Sequence, residues 1–386
     1  MVELAQSQVA EAAAATPEAP RIWALVSEKP GDMAQVQAIL DALALPWEPK
    51  RLVVDQRWQI ANPPFRPDLD HLDRARSDRL EPPWPDLVIA SGRRMAGPQL
   101  WIKQQSGGRT KLVLVGRPRR WLDRFDLVIG TSQYRLPPKP NVLRLDLPLM
   151  RPAIEAVAKA REEWAPKLAS LPRPLIAVLV GGQTKPFRFD AEVARELMRR
   201  SQALAAAEGG GTLYVTTSRR TPKPVAEALA ATLPANARLY LWRPDSGGEN
   251  PYFGLLAHAD RFIVTGDSAS MMVEVARLGR PLLIYDLPRR VGRGDRFHYA
   301  LAQLVHVPSG MEGVRWRRLL HPLGDLLYRY AAIGYSRDLG DLHQVLIRRG
   351  LATRLGDPTP PRPPEAVDEV ALVAEHIRAL LGLGKS

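Results

Sequence analysis

The feature that most constrains this chain is a recurrence of short, nearly continuous apolar runs separated by segments long enough to be helices. In the first half the runs are Ile22–Ser27, Arg51–Val54, Asp86–Ala90, Lys111–Val115, Asp126–Gly130 and Val142–Leu145. In the second half they are Leu175–Val180, Thr212–Thr217, Arg238–Leu241, Arg261–Thr265, Pro281–Tyr285 and Leu304–Val307. A strand that is apolar on both faces belongs in a parallel sheet covered by helices, and strands alternating with helices make βαβ units. One polar helix, about Ala153–Trp164, stands between the two sets, and Pro166, Pro172 and Pro174 close it and mark the restart. A single twelve-stranded sheet is the competing arrangement, but open twisted sheets rarely grow so wide. A length of 386 residues is ample for two cores. The expected fold class is therefore α/β, with two Rossmann-like domains facing each other across a cleft.

The expected divisions are a leader over 1–20, a first Rossmann-like domain over 21–152, a linker helix over 153–173, a second Rossmann-like domain over 174–357, and a strap with a helix over 358–386. Pro63–Pro85, rich in proline and charge, reads as an excursion outside the first core. Arg315–Ala332 carries leucines at helical spacing, interrupted by Pro322. After the stiff stretch Pro358–Pro364, an amphipathic helix at about Glu365–Leu381 is placed to cross back onto the first domain.

Charge narrows the partners. Lys and Arg number 54 against 41 Asp and Glu, a formal net charge of +13, which favours anionic ligands. The excess is spread along the chain, with local clusters at Arg117–Arg120, Arg289–Arg296 and Arg315–Arg318. Nucleic-acid readers concentrate it on one helix or arm, so phosphates or an anionic lipid surface are expected and nucleic acid is not. A generally solubilising basic surface is the plainer reading. Cysteine is absent, which excludes disulfides, a thiolate nucleophile and thiolate metal sites. The seven histidines show no metal-ligand spacing, and no metal is expected. The N-terminus lacks the order of a signal peptide, and no uncharged apolar run reaches the ~18 residues of a membrane span. A cytoplasmic protein is expected, with the cytoplasmic face of the inner membrane as a peripheral contact.

Several motifs carry chemistry. The run Leu175–Val180 leads into Gly181-Gly182-Gln183-Thr184-Lys185. Glycines at a strand end let the backbone approach a phosphate, while Thr184 and Lys185 add a hydroxyl and a charge. The next strand ends in Thr216–Thr221, where Ser218 and Arg219 suit a diphosphate, although a helix cap at Ser218 or Thr221 explains part of the pattern. The most specific segment is Phe262–Tyr285. Its strand ends at Thr265, the loop Gly266–Ser270 follows, and a helix from about Met271 carries Glu274 in its first turn and ends at Gly279. Ser268 and Ser270 at that helix N-terminus suit an anion, and Glu274 suits a ribose diol, with a capping-box role as its simpler explanation.

In the first half, Glu28, Asp32 and Gln35 follow the first strand, and Ser91 and Arg93 follow the third. Asp32 is the candidate general base for an acceptor hydroxyl, or else the cap of a helix beginning near Met33. The markers of NTP hydrolysis and of NAD binding are missing, as is a nucleophile elbow. Asp68-Leu69-Asp70 reads as a solvated loop rather than a metal motif. No cofactor is expected.

Glu249–Asp260, Val264–Met272 with Glu274, Lys29–Gln35 and Val180–Gly182 together resemble the bacterial relatives of the plant mitochondrial-fission "elongated mitochondria" family. That family is similar to glycosyltransferase-B enzymes of cell-envelope synthesis. The resemblance implies the glycosyltransferase-B arrangement, with a nucleotide-sugar donor near Gly181, Gly182, Ser268, Ser270 and Glu274. It also implies a membrane-lipid acceptor against the first domain near Asp32. Gly130–Arg135 departs from it, because a His-Asp pair would be expected there. Three readings follow: a metal-independent sugar transferase, a non-catalytic adaptor that keeps the fold, and a nucleotide-sugar epimerase.

Overall fold

The computed structural model describes residues 19–27, 30–60, 66–118, 120–134, 136–137, 139–149, 154–243, 249–290, 292, 297, 321–329, 338–358 and 369–383. The first sheet is built from β1 (Ile22–Val26), β2 (Glu48–Arg51), β3 (Leu87–Ser91), β4 (Lys111–Val115), β5 (Leu127–Thr131) and β6 (Val142–Leu145). The second is built from β7 (Leu175–Leu179), β8 (Thr212–Thr216), β9 (Ala237–Tyr240), β10 (Arg261–Thr265), β11 (Leu282–Tyr285) and β12 (Thr353–Arg354). Every pairing is parallel. The orders are β2-β1-β3-β4-β5-β6 and β9-β8-β7-β10-β11-β12. The second is the dinucleotide-fold order, in which the first strand of the domain lies beside the fourth.

The double-sided apolar pattern explains the layering. In the first sheet alternate residues serve opposite faces: Trp23, Leu25, Val88, Ala90, Leu112 and Leu114 enter one cluster, and Ile22, Ala24, Leu87, Ile89, Val113 and Val115 enter another. Helix α1 (Pro30–Leu43) covers the second face with Val36, Ile39, Leu40 and Leu43. After the short turn α2 (Arg57–Ile60), helix α3 (Ala96–Gln105) lies on the first face with Leu100 and Ile102. The Pro-rich stretch is not the excursion expected. Val54 bridges Leu72, Leu72 and Leu80 are buried in the core, and Trp84 meets both Trp23 and Trp101 edge to face. Proline disfavours regular structure there but does not stop the side chains between prolines from packing.

Helix α4 (Ile154–Leu168) runs through Pro166, which sequence reasoning took as its end. A proline in the last turn deletes one backbone donor close to where the ladder stops. This helix packs into the second domain through Val157, Ala160, Trp164 and Leu168. Gly254 is glycine because the Trp164 ring occupies the space a Cβ would need. Among the described residues, the remaining helices of the second domain are α5 (Ala191–Ala207), α6 (Lys223–Ala231), α7 (Tyr252–His258) and α8 (Ala269–Arg277), followed by α9 (His321–Arg329), which sets Leu327 against the first core, and then α10 (Leu339–Arg348) of the second domain. Of the expected helix over Arg315–Ala332, only the His321–Arg329 part lies within the described residues, and the expected strand Leu304–Val307 lies outside them. The sixth strand described is the two-residue β12, too short to show a pattern. Among the described residues no helix is long and apolar enough to cross a membrane.

The chain returns to the first domain through α11 (Glu369–Leu380), which lies on α1. Val370, Val373, Ala374 and Ile377 are buried with the α1 face, and Arg378 donates to the Leu43 carbonyl at 2.7 Å. Glu369 is 4% exposed and accepts the backbone N–H groups of Asp146 (2.9 Å) and Leu147 (3.3 Å), just where the chain leaves β6. Arg277 of α8 and Arg349 after α10 stand at 3.7 and 3.8 Å from the same carboxylate, and Arg349 also pairs with Asp146. Burial pushes the Glu369 carboxyl up, against the hydrogen bonds and arginines that favour its charge. This cluster ties both domains and the returning helix together. Glu369→Ala leaves buried donors unpaired and is expected to lower the unfolding free energy by about 1–3 kcal/mol in chemical denaturation. An unchanged denaturation midpoint would show that α11 holds without it.

Candidate functional site

In open α/β sheets a ligand crevice forms beyond the strand C-termini, at the point where strand order reverses. In the second sheet that point lies between β7 and β10, and the loops after both strands meet there. The Gly181 N–H donates to the Thr265 hydroxyl at 2.8 Å, and the Gly182 N–H donates to Asp267 Oδ2 at 2.7 Å. Thr265 in turn donates to Asp267 Oδ1 at 2.7 Å. From the β8 side, Ser218 (3.0 Å) and Thr221 (2.6 Å) both donate to the Gly181 carbonyl. A Cβ on Gly181 would meet the Asp267 carboxylate, and one on Gly182 would overlap the Arg220 backbone. Both glycines are therefore required by close approach. Their N–H groups, which sequence reasoning offered to a phosphate, are held by Thr265 and Asp267.

Asp267 is 2% exposed, and burial raises its pKa against the lowering effect of the Gly182 and Thr265 hydrogen bonds and of Arg220. The Arg220 guanidinium lies 3.7 Å from that carboxylate and donates to the Thr184 hydroxyl at 2.9 Å. Arg220 is half exposed, so the buried anion holds an arginine at the surface of the crevice. Arg219 and Lys185 are exposed on the same two loops. Asp267 and Thr265 carry no role in the sequence analysis. The small-residue loop was visible there, but a single Asp within it gives no spacing signal.

Helix α8 begins at Ala269 rather than near Met271, which places Glu274 in its second turn rather than its first. Ser268 stands at the N-cap without making a capping bond. It is 1% exposed, and its hydroxyl has no hydrogen-bond partner. Ser270 is exposed beside it. Gly279 (φ +65°) ends the helix in the left-handed conformation that glycine tolerates. Glu274 does not form the capping box considered for it. Its Oε2 accepts the Tyr252 hydroxyl of α7 at 2.6 Å, and burial together with the Glu274 charge raises the Tyr252 pKa well above its ordinary value. Below the loop, His343 of α10 places Nε2 2.7 Å from the Gly266 carbonyl and Nδ1 3.3 Å from Asp286, whose carboxyl it holds below the usual range.

In the first sheet the reversal lies between β1 and β3. Ser91 is buried and Arg93 exposed on the loop after β3, where Gly92 (φ +85°) donates to the Val115 carbonyl at 2.9 Å. Glu28 lies outside the described residues. Helix α1 starts at Pro30, so Asp32 falls inside its first turn and is not the cap of a helix beginning at Met33; its side chain lies outside the described residues. Gln35 is half-buried one turn further on. The loops of the two sheets touch where the Asp338 N–H, at the start of α10, donates to the Gln133 carbonyl after β5 at 2.8 Å.

With its pKa raised, Asp267 binds more protons folded than unfolded just above the ordinary aspartate value, so its contribution to stability falls as pH rises through that window. Denaturation at a series of pH values is expected to show wild type losing stability relative to Asp267→Asn as pH rises. A relative gain would contradict the burial argument.

Two proteins are similar to this chain in sequence, and a solved structure is similar to it in fold. A mitochondrial fission protein ELM1 from Arabidopsis thaliana is 29% identical over 223 residues, covering 52% of this chain and 51% of that protein. Uncharacterized protein RP120 of Rickettsia prowazekii is 24% identical over 240 residues, covering 53% of this chain and 65% of that one. The chain thus spans about half the length of the plant relative and just under two thirds of the bacterial one. Among solved structures, UDP-GlcNAc 2-epimerase from Methanocaldococcus jannaschii is 11% identical with a TM-score of 0.45, covering 94% of this chain and 100% of the other. The sequence pattern of the family described as "Mitochondrial fission ELM1" matches residues 30–314. The chain belongs to that family.

Proposed function

We propose that the second domain binds a nucleoside diphosphate sugar at the β7/β10 reversal, and that the protein transfers the sugar to an acceptor held by the first domain. The observation that carries this reading is the buried, unpartnered Ser268 hydroxyl at the N-terminus of α8. A buried polar group without a partner is costly, and a helix N-terminus favours an anion. Arg220 supplies a cation from the adjacent loop, and Glu274, steadied by Tyr252, supplies an acceptor for ribose hydroxyls. In the reaction an acceptor hydroxyl oxygen bonds to the anomeric carbon while the bond to the diphosphate breaks. The hydroxyl proton passes to a base, for which Asp32 is the candidate. The negative charge gathering on the departing diphosphate is met by the α8 N-terminus and Arg220. The acceptor we propose is a cell-envelope or membrane lipid, reached from the cytoplasmic face of the inner membrane without a metal.

One observation favours the adaptor reading. The glycine turn that would cradle a phosphate is already satisfied by Asp267 and Thr265, and a crevice closed on its own carboxylate can persist without a ligand. A thermal-shift screen against UDP, UDP-GlcNAc and the other nucleoside diphosphates separates the two. A ligand at 100 times its Kd stabilises the native state by about 2.7 kcal/mol. The transferase reading predicts a base-selective shift that is lost in Glu274→Ala and reduced in Arg220→Ala. No shift with any nucleotide, in a sample that unfolds cooperatively, would leave the adaptor.

A further inference from the structure

Trp121, on the loop after β4, has φ +58° and ψ +42°. This left-handed conformation suits glycine or asparagine and is rare for a bulky side chain. The surrounding fold enforces it. Leu122, which opens the 3₁₀ turn Leu122–Arg124, and Phe125, just after it, are buried in the first core. The Asn141 amide donates to both of their carbonyls, at 2.8 and 2.9 Å. A strained residue that its surroundings over-determine is a reason to look for a task at that position.

The ring that this conformation presents is clasped by two guanidinia, with Arg120 at 4.1 Å and Arg124 at 4.3 Å from its centroid. Nearby Arg117 stands over the Tyr134 ring at 5.8 Å. Stacking fixes a guanidinium by its face, while its N–H donors lie in its plane, the geometry suited to paired bonds with phosphate oxygens. Residues 116–125 hold four arginines and one carboxylate, Asp123. The loop also abuts the one after β3, since a Cβ on Gly116 would lie 3.8 Å from the Gly92 nitrogen, so Arg93 and Arg94 belong to the same edge. This edge is next to the strand reversal of the first sheet, on the side of the molecule assigned to the acceptor.

We infer that Arg120 and Arg124 form the subsite for a phosphate or pyrophosphate group on the acceptor, with Trp121 as the rigid post that orders them. The inference rests on the transferase reading but stands on residues of the other domain. A phosphate of this kind is supplied either by a lipid headgroup or by a soluble phosphorylated molecule.

The test is calorimetric titration of inorganic pyrophosphate into the full chain with UDP present throughout, using wild type, Arg120→Gln/Arg124→Gln and Trp121→Gly. The glycine variant relaxes the backbone while removing the post. Loss of two charge-assisted contacts is expected to weaken pyrophosphate about tenfold or more, with thermal unfolding and UDP affinity unchanged in the double arginine variant. Wild-type affinity for pyrophosphate in that variant would overturn the inference. A failure of UDP to bind wild type would instead remove the donor reading on which it rests. Co-sedimentation with phosphatidylglycerol vesicles, lost in the double variant, would identify a lipid headgroup as the source. Retained pyrophosphate binding without sedimentation would identify a soluble one.

Discussion

The buried carboxylate of Asp267 is the contact around which the second domain's crevice is arranged. It takes one N–H from the loop after β7 and one hydroxyl from the end of β10, which joins the two neighbouring strands of that sheet that lie furthest apart in the chain. Parallel neighbours of this kind have no turn to set their register, so side-chain contacts between their loops must do it. The same carboxylate holds Arg220 at the crevice surface and forces glycine at 181, while the Arg220 backbone forces glycine at 182. The helix that follows then starts with Ser268 buried and Glu274 directed toward Tyr252. A single buried anion therefore fixes backbone path, cation position and helix start together.

The two domains are joined on a different principle. Where the chain leaves the first sheet and where it returns as α11, Glu369 is shared among backbone donors at 146 and 147 and arginines from α8 and after α10. The helix carrying Arg277 is the one whose N-terminus lies at the β7/β10 crevice.

The architecture was legible because strands buried on both faces leave an unambiguous pattern. Ten of the runs that sequence reasoning marked overlap strands of the two sheets within a few residues, as with Leu175–Val180 and Arg261–Thr265. The second run was displaced. The apolar part of Arg51–Val54 packs in the core, while the hydrogen-bonded ladder uses the polar residues Glu48–Arg51, because an edge strand needs backbone pairing more than apolar character. Candidate residues at the ends of β3, β7, β8 and β10 were found because strand C-termini can be read from sequence. Their partners were not. Tyr252 reaches Glu274 across 22 residues, and Asp267 reaches Gly182 across 85. Contacts between loops depend on sheet order, and no local spacing encodes that order. The burial of Leu72 and Leu80 was hidden for a related reason, since proline content reports backbone conformation and not packing.

The most direct test of the central claim is a crystal structure of the protein grown with UDP. The account predicts density for the diphosphate against the N-terminus of α8, with an oxygen within hydrogen-bonding distance of the Ser268 hydroxyl, Arg220 turned toward the phosphate, and a ribose hydroxyl on Glu274. A nucleotide bound elsewhere on the chain, or a β7/β10 crevice with Arg220 still on Asp267 and no ligand density under saturating UDP, would contradict it.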